Sequence, residues 1–205
     1  MSDEFLNKVN EYYSDKIKTY GPVSEGVDWN GIDSHNLRFD QLIKIIEDSS
    51  EFSVLDYGCG YGALNEFLIE QFNQFDYKGY DISEEMLDSA KVQFPKQKDA
   101  FFSQLKDGEV FDYVISNGLF NVKLDTEESV WNGFIEQTLC DFDRLSSKGF
   151  SFNILTSYSD QEKQKPHLNY ADPLRWFDYC KRNFSRNVAL LHDYELYEFT
   201  ILVRK

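Results

Sequence analysis

The stretch VLDYGCGYGAL, residues 54–64, constrains the fold more than any other part of the chain. Its apolar start is typical of a buried strand, and its glycines let the chain turn into a helix with backbone N–H groups close to a ligand. Gly58, Gly60 and Gly62 follow the spacing G-x-G-x-G, whereas a dinucleotide site needs G-x-G-x-x-G and a P-loop needs Gly-Lys-Ser/Thr. The sequence therefore matches neither phosphate-binding motif.

Two acidic residues end the first two predicted strands. Asp56 precedes the glycines, where a carboxylate would repel a pyrophosphate but would attract a cationic group such as an amine or a sulfonium. Asp81 ends the second strand, where an acidic side chain can accept hydrogen bonds from both hydroxyls of a ribose. Together these residues predict a site for a nucleoside that carries a positively charged tail.

Short apolar runs alternate with helical periodicity from Ser53 onward, which is typical of parallel strands joined by crossover helices. The strands are predicted over residues 53–56, 77–80, 99–102, 111–116, 150–155, 187–191 and 195–203. The helices are predicted over residues 3–20, 37–47, 61–73, 83–93 and 127–145, with one more that begins near Pro173. The last two strands resemble a hairpin. The pattern predicts one α/β domain.

Charge and composition exclude several partners. The chain has 205 residues and a formal net charge of −15, so a surface that neutralises phosphates is not expected, and neither DNA nor RNA is a predicted partner. The three cysteines are too far apart for a metal ligand pair and suit a reducing cytoplasm. An acidic N-terminus and the lack of a long apolar run argue against export and membrane spanning. The sequence leaves the oligomeric state open.

The motifs resemble those of the class I S-adenosylmethionine-dependent methyltransferases. VLDYGCGYG is similar to the glycine motif of that family, GYDISEEML to its ribose-binding motif, FDYVISNG to its fourth strand and YELYEFTILVRK to its terminal strand. The resemblance covers about residues 50–205. It implies a Rossmann-like, mostly parallel, seven-stranded sheet in the order 3-2-1-4-5-7-6, with strand 7 antiparallel and helices on both faces. Residues 49–205 would form this core and residues 1–48 a helical cap.

The resemblance also implies S-adenosyl-L-methionine as the cofactor and a set of residues that contact it. The acidic and glycine positions would hold the methionine part and the ribose, and two apolar side chains would touch adenine or serve ordinary packing. The implied contacts are Asp56, Gly58, Gly60, Asp81, Ile82, Met86, Ser103, Gln104, Asn117, Gly118 and Arg38.

Several of these contacts depart from the family pattern or have a second interpretation. Ser103 and Gln104 stand where many relatives carry an acidic residue for the adenine amino group, so the adenine contact stays open. The pair 117–118 ends the fourth strand near the reactive methyl, although Asn-Gly is also a common turn pair. Trp29 and Asn30 are expected to close over the cofactor, together with Arg38, which would pair with the cofactor carboxylate.

A hydroxyl acceptor needs a base, because its proton must leave as the new bond forms. The chain has three histidines, and two of them, His167 and His192, fall in connections expected at the cofactor edge of the sheet. These two are the candidate catalytic residues, with His192 preferred. His35 lies in the N-terminal loop. An amine or carboxylate acceptor needs no such base.

The leading prediction for the acceptor is a hydroxyl of a sugar or a sugar-linked small molecule. The stretches TSYSD and HDYELYEFTILVRK resemble uncharacterised methyltransferases encoded with surface-polysaccharide pathways. A methyltransferase acting on an amine or a carboxyl group, and a non-catalytic protein that binds the cofactor, remain alternatives. No metal is expected, because Thr156, Ser157 and Tyr158 stand where catechol-type relatives carry an Asp-Asn pair.

Overall fold

The computed structural model describes residues 4–23, 31–47 and 50–205. Within these residues the strands of the sheet are β1 (Phe52–Tyr57), β2 (Phe75–Tyr80), β3 (Phe101–Phe102), β4 (Phe111–Ser116), β5 (Ser146–Leu155), β6 (Asn187–Leu191) and β7 (Glu198–Arg204). The α-helices are α1 (Glu4–Tyr20), α2 (Ile32–Leu42), α3 (Ala63–Gln71), α4 (Glu84–Gln93), α5 (Glu128–Leu145) and α6 (Pro173–Asn183). Short 3-10 turns cover Ile43–Ile45, Lys98–Ala100 and Gln161–Lys163.

The strands form one seven-stranded sheet in the order β3-β2-β1-β4-β5-β7-β6. β1 pairs in parallel with both β2 and β4, whereas β7 runs antiparallel to β5 and β6. The predicted strand order and the antiparallel β7 are therefore confirmed. The chain winds outward in both directions from the β1–β4 pair, which leaves a crevice beyond the carboxyl ends of these two strands.

Apolar side chains cover both faces of the sheet, as a parallel sheet requires. Successive residues of β4 alternate between the faces: Val114 packs with α5 and α6, whereas Tyr113 and Ile115 pack with α2, α3 and α4. On α5, the buried stripe includes Trp131 and Leu139. The two helical layers hold the carboxyl ends of the strands in fixed positions relative to one another.

Several element boundaries differ from the prediction, and two of these differences have a clear physical reason. α2 begins at Ile32 rather than at residue 37, directly after Gly31, whose φ of 110° is accessible to glycine. The predicted strand 99–102 is reduced to β3, because only Gly79 and Tyr80 of β2 pair with it at the edge of the sheet. The residues before β3 form a 3-10 turn instead.

Helix α1 bridges α5 and α4 across the crevice. Near its start, the ring of Phe5 packs edge-on against Trp131 of α5, with centroids 5.9 Å apart. Near its end, the Lys18 ammonium lies 2.8 Å from the Glu85 carboxylate of α4, and the Ser14 hydroxyl donates to the same carboxylate at 2.9 Å. The apolar end of α1 is buried, whereas the ion pair is largely exposed and adds little stability.

Candidate functional site

An open cleft of about 870 Å³, counted out to its mouth, lies at the carboxyl ends of β1, β2 and β4. Strand ends and the segments that follow them form its floor, and α1 and α5 add apolar walls. The lining residues are Leu6, Val9, Asn10, Tyr13, Tyr57, Gly58, Gly60, Tyr80, Asp81, Ile82, Ser83, Met86, Asn117, Gly118, Leu119 and Phe134.

A smaller cavity of about 330 Å³ adjoins this cleft. The two share Gly58, Gly60 and Asn117 as walls. Asp56 and His35 are part of the lining of the smaller cavity only. The glycine loop, residues 58–62, therefore lies between the larger cleft, which Asp81 lines, and the smaller cavity, which Asp56 lines.

The glycine loop adopts a backbone that other residues rarely reach. The φ angles of Gly58, Gly60 and Gly62 are 81°, 53° and 88°. A Cβ atom at Gly62 would lie 2.8 Å from the ring of Phe94, so this position has no space for a side chain. The backbone N–H of Gly58 donates to the carbonyl oxygen of Tyr80 at 2.8 Å. This bond joins the loop after β1 to the end of β2.

Asp81 fixes the junction between the glycine loop and α4. One carboxylate oxygen accepts a hydrogen bond from the Gly60 backbone N–H at 2.8 Å, and the other accepts one from the Ser83 backbone N–H at 2.9 Å. Burial raises the pKa of the carboxyl group, and these N–H donors partly offset that rise. Each carboxylate oxygen keeps a second acceptor position, and the side chain lines the larger cleft.

Asp56 is buried, with 2% of its surface exposed. The Tyr77 hydroxyl donates to its carboxylate at 2.8 Å. The pKa of Asp56 is raised to about 7: burial raises it most, the hydrogen bond from Tyr77 lowers it, and the charge of Asp81 contributes a smaller rise. A cation in the smaller cavity would stabilise the ionised form of this carboxylate.

A chain of buried polar contacts runs beneath the cleft. The Arg38 guanidinium of α2 lies 2.8 Å from the Glu198 carboxylate of β7. Asn153 of β5 donates to the other oxygen of Glu198 at 2.7 Å and accepts a hydrogen bond from the Gly118 backbone N–H at 2.7 Å. Arg38 was expected to pair with the cofactor carboxylate, but its guanidinium is paired within the protein and its side chain lines neither cavity.

The two histidines expected as bases lie away from the cleft. His192 is exposed in the connection between β6 and β7, and His167 is half-buried in the connection after β5; neither lines either cavity. The strand order explains this result for His192, because β6 is the edge strand and three strands separate it from β1.

His35 is the histidine that lines a cavity, and the sequence analysis did not select it. Only 3% of its surface is exposed. Burial and the nearby charge of Arg38 lower the pKa of His35 to about 4, so its imidazole is neutral at pH 7. The only signal for it was its position in the N-terminal segment, whose approach to the glycine loop is a long-range contact.

The structure brings together most of the expected cofactor contacts. Those that line at least one cavity are Asp56, Gly58, Gly60, Asp81, Ile82, Met86, Asn117 and Gly118. Ser103 and Gln104 follow β3 and line neither cavity, because β3 lies two strands away from β1. Trp29 and Asn30 lie outside the described residues.

The aromatic wall of the cleft was not expected from the sequence. Tyr57 and Tyr80 end β1 and β2 next to the two acidic residues, and their ring centroids lie 4.7 Å apart. Both point to the α5 side of the sheet, where Phe134 also lines the cleft. Their positions beside Asp56 and Asp81 were a signal that could have identified them.

Two features are not found in the described part of the chain. No group of three or more His, Cys, Asp or Glu side chains in these residues is arranged to hold a metal ion. In the same residues, no helix combines the length and the apolar character that crossing a membrane would require.

Comparisons with known solved structures agree with this architecture. The DhpI–SAH complex superimposes with a TM-score of 0.67 at 13% identity, over 100% of this chain and 98% of that chain. The SAM-bound magnesium protoporphyrin IX methyltransferase (ChlM) of Synechocystis PCC 6803 gives a TM-score of 0.64 at 17% identity, with the same shares of both chains covered. At these identities the likeness establishes the fold alone.

Sequence comparisons establish the family. A family model described as a methyltransferase domain matches residues 54–138. Rv1506c of Mycobacterium tuberculosis, named as a candidate methyltransferase, is 46% identical over 164 residues, which is 80% of this chain and 99% of that relative. The malonyl-[acyl-carrier protein] O-methyltransferase 2 of Ilyobacter polytropus is 29% identical over 119 residues, 55% of this chain and 43% of that relative. This chain belongs to the class I S-adenosylmethionine-dependent methyltransferases.

Proposed function

We propose that this methyltransferase acts on an oxygen atom of a small molecule, and that a hydroxyl group of a sugar or a sugar-linked metabolite is the acceptor to test first. The observation that carries the cofactor assignment is the 2.8 Å hydrogen bond from the Gly60 N–H to Asp81, which fixes a carboxylate beside the glycine backbone at the mouth of the cleft. The name of the Ilyobacter polytropus relative supports an oxygen acceptor. The choice of a sugar rests on the resemblance of two C-terminal stretches to methyltransferases encoded with surface-polysaccharide pathways.

Within this proposal, Asp81 accepts hydrogen bonds from the ribose hydroxyls through its remaining acceptor positions. Ile82, which is 40% exposed, and Met86, which is buried, lie on the same side of the cleft and contact the adenine ring. The amino-acid part extends past the glycine loop toward Asp56 in the smaller cavity. The carboxylate of Asp56 attracts its ammonium group there.

S-adenosylmethionine supplies a methyl group on a positively charged sulfur, which a nucleophile displaces in line. The protein contributes by holding the acceptor in line with the methyl group and by excluding water. Leu6 and Val9 of α1 and Phe134 of α5 form an apolar wall for this purpose. If the acceptor is a hydroxyl, His35 is the neutral imidazole at the edge of the glycine loop that takes its proton.

One observation favours a second candidate. Neither His167 nor His192 lines the cleft, so the two bases expected for a hydroxyl acceptor are absent from it. A carboxylate or an amine is already nucleophilic at neutral pH and needs no such base. Methyl transfer to a carboxyl or amino group is therefore the alternative to a hydroxyl acceptor.

A two-step experiment tests the proposal. Thermal unfolding is first followed with S-adenosylmethionine, S-adenosylhomocysteine or NAD, because a ligand that binds the folded state alone raises its stability. The adenosyl compounds should raise the midpoint and NAD should not. A cell extract is then incubated with the enzyme and a deuteromethyl-labelled cofactor and analysed by mass spectrometry. Label in a carbohydrate ether supports the proposal, label in an ester or amine supports the alternative, and cofactor binding without any labelled product supports a non-catalytic role.

A further inference from the structure

Asn153 is a buried side chain whose amide nitrogen uses both of its N–H donors and whose amide oxygen accepts one hydrogen bond. It lies on β5 with 1% of its surface exposed. Its amide nitrogen donates to the Glu198 carboxylate at 2.7 Å and to the side-chain oxygen of Asn117 at 2.9 Å. Its amide oxygen accepts a hydrogen bond from the Gly118 N–H at 2.7 Å. Two of the three bonds end on the pair 117–118, which lines the cleft.

The bond to Gly118 fixes the direction of one peptide group at the cleft. None of the described peptide bonds is cis. In a planar trans peptide the N–H and the C=O point in opposite directions, so an N–H directed at Asn153 turns the Asn117 carbonyl oxygen away from Asn153. Asn117 lines both cavities, so this peptide group lies beside the space that they share.

Glu198 determines which way round the Asn153 amide lies. An ionised carboxylate only accepts hydrogen bonds, so it selects the orientation in which the Asn153 nitrogen faces it. The amide oxygen is then left for the Gly118 N–H. Arg38 balances the charge of the carboxylate at 2.8 Å, which makes a buried carboxylate tolerable at this position. Arg38 thus stabilises the Glu198 carboxylate, Glu198 orients the Asn153 amide, and Asn153 holds the Gly118 N–H.

We propose that Asn153, oriented by the Glu198–Arg38 pair, is a positioning residue that sets the Asn117–Gly118 peptide for the amino-acid end of the cofactor. Asn153 lines neither cavity, so it acts through its hydrogen bonds to the pair 117–118. This inference rests on the proposed function, in which the ammonium group of the cofactor lies near Asp56 in the smaller cavity. The Asn117 carbonyl oxygen is the second acceptor for that ammonium.

A pair of ligands separates positioning from general stability. S-adenosylhomocysteine carries the amino-acid end, whereas 5′-methylthioadenosine carries the same nucleoside and thioether without it. Both are titrated by calorimetry into the wild type, into Asn153→Leu and into Asn169→Leu. Asn169 is a matched control, because its buried amide also bonds the connection after β4, at the Phe120 carbonyl 3.0 Å away, but does not contact the 117–118 peptide.

Asn153→Leu should weaken the binding of S-adenosylhomocysteine at least tenfold, which is the size of one hydrogen bond to a charged group. The same variant should change the affinity for 5′-methylthioadenosine less than threefold. Asn169→Leu should change the affinities for both ligands equally or not at all. Equal weakening of both ligands by Asn153→Leu, or no weakening, overturns the proposal. Failure of the wild type to bind either ligand would instead overturn the proposed function.

Glu198→Gln gives the same test if Asn153→Leu does not fold. Its carboxamide keeps the volume of the side chain, but it can donate as well as accept and no longer selects one orientation of the Asn153 amide. The proposal expects the same selective loss of S-adenosylhomocysteine, smaller than for Asn153→Leu. Unchanged selectivity between the two ligands in a folded Glu198→Gln protein contradicts it.

Discussion

Arg38 and Glu198 form a buried ion pair, in which the guanidinium nitrogen Nη2 lies 2.8 Å from the carboxylate oxygen Oε1. Their side chains are 8% and 0% exposed. The arginine comes from α2 and the glutamate from the first residue of β7, so the pair ties the N-terminal segment to the last strand of the sheet. Removing one partner leaves a charge buried without compensation, which is far more costly than losing an exposed pair.

Arg38→Met should lower the free energy of unfolding by about 3–5 kcal/mol, because Glu198 then stays buried without its partner. The double variant Arg38→Met/Glu198→Leu should lose less than this single variant, because no unpaired charge remains. Urea denaturation measures both. The exposed pair of Arg182 and Asp178, 2.6 Å apart, is the control, and Arg182→Met should leave the free energy of unfolding almost unchanged. Equal losses in the free energy of unfolding for Arg38→Met and Arg182→Met would contradict the prediction that a buried partner makes the loss larger.

The raised pKa of Asp56 predicts a pH dependence of stability. The folded state holds the proton of this carboxyl up to a pKa of about 7, whereas the unfolded chain releases it near the ordinary aspartate pKa of 3.8. The contribution of Asp56 is therefore largest below the unfolded pKa and is lost as the pH rises toward 7. In Asp56→Asn the side chain cannot ionise, so the variant does not lose this stability as the pH rises. Relative to the wild type, the variant should gain stability between pH 4 and pH 8, measured by urea denaturation at each pH. A difference between the two proteins that does not change with pH would contradict the assignment.

The location of the histidines predicts which one affects catalysis. His35→Asn should slow single-turnover methyl transfer about 10²-fold or more at saturating cofactor, if the acceptor is a hydroxyl. His167→Ala and His192→Ala should change that rate less than about threefold, because neither side chain lines a cavity. Rapid quench with labelled cofactor measures all three. A large loss of the methyl-transfer rate in His192→Ala alone would contradict this prediction and would identify His192, between β6 and β7, as the base.

The parts of the site predicted from the sequence are those that local chain geometry determines. Gly58, Gly60 and Asp81 each follow a strand of a parallel sheet directly, and the carboxyl ends of neighbouring strands meet at one edge. The resemblance of the motifs supplied the strand order. Neither inference needed a contact between distant parts of the chain.

The other parts depend on long-range contacts that spacing along the chain does not encode. Arg38 was expected to pair with the cofactor carboxylate, but its partner in the protein, Glu198, lies 160 positions away along the chain. His192 was preferred for its place in a loop, but the order β1-β4-β5-β7-β6 moves that loop to the far edge of the sheet. The expected strand order already implied this position of the loop.

Calorimetric titration of S-adenosylhomocysteine into the wild type, Asp81→Ala and Asp112→Ala tests the central claim most directly. Asp112 is the control, because its carboxylate also accepts a backbone N–H, from Ser53 at 3.0 Å, but at the amino end of β4. Asp81→Ala should bind about 10- to 100-fold more weakly than the wild type, the size of hydrogen bonds to a charged acceptor, and Asp112→Ala should bind as the wild type does. Equal affinity of all three proteins, with circular dichroism showing each folded, would contradict the placement of the cofactor at Asp81.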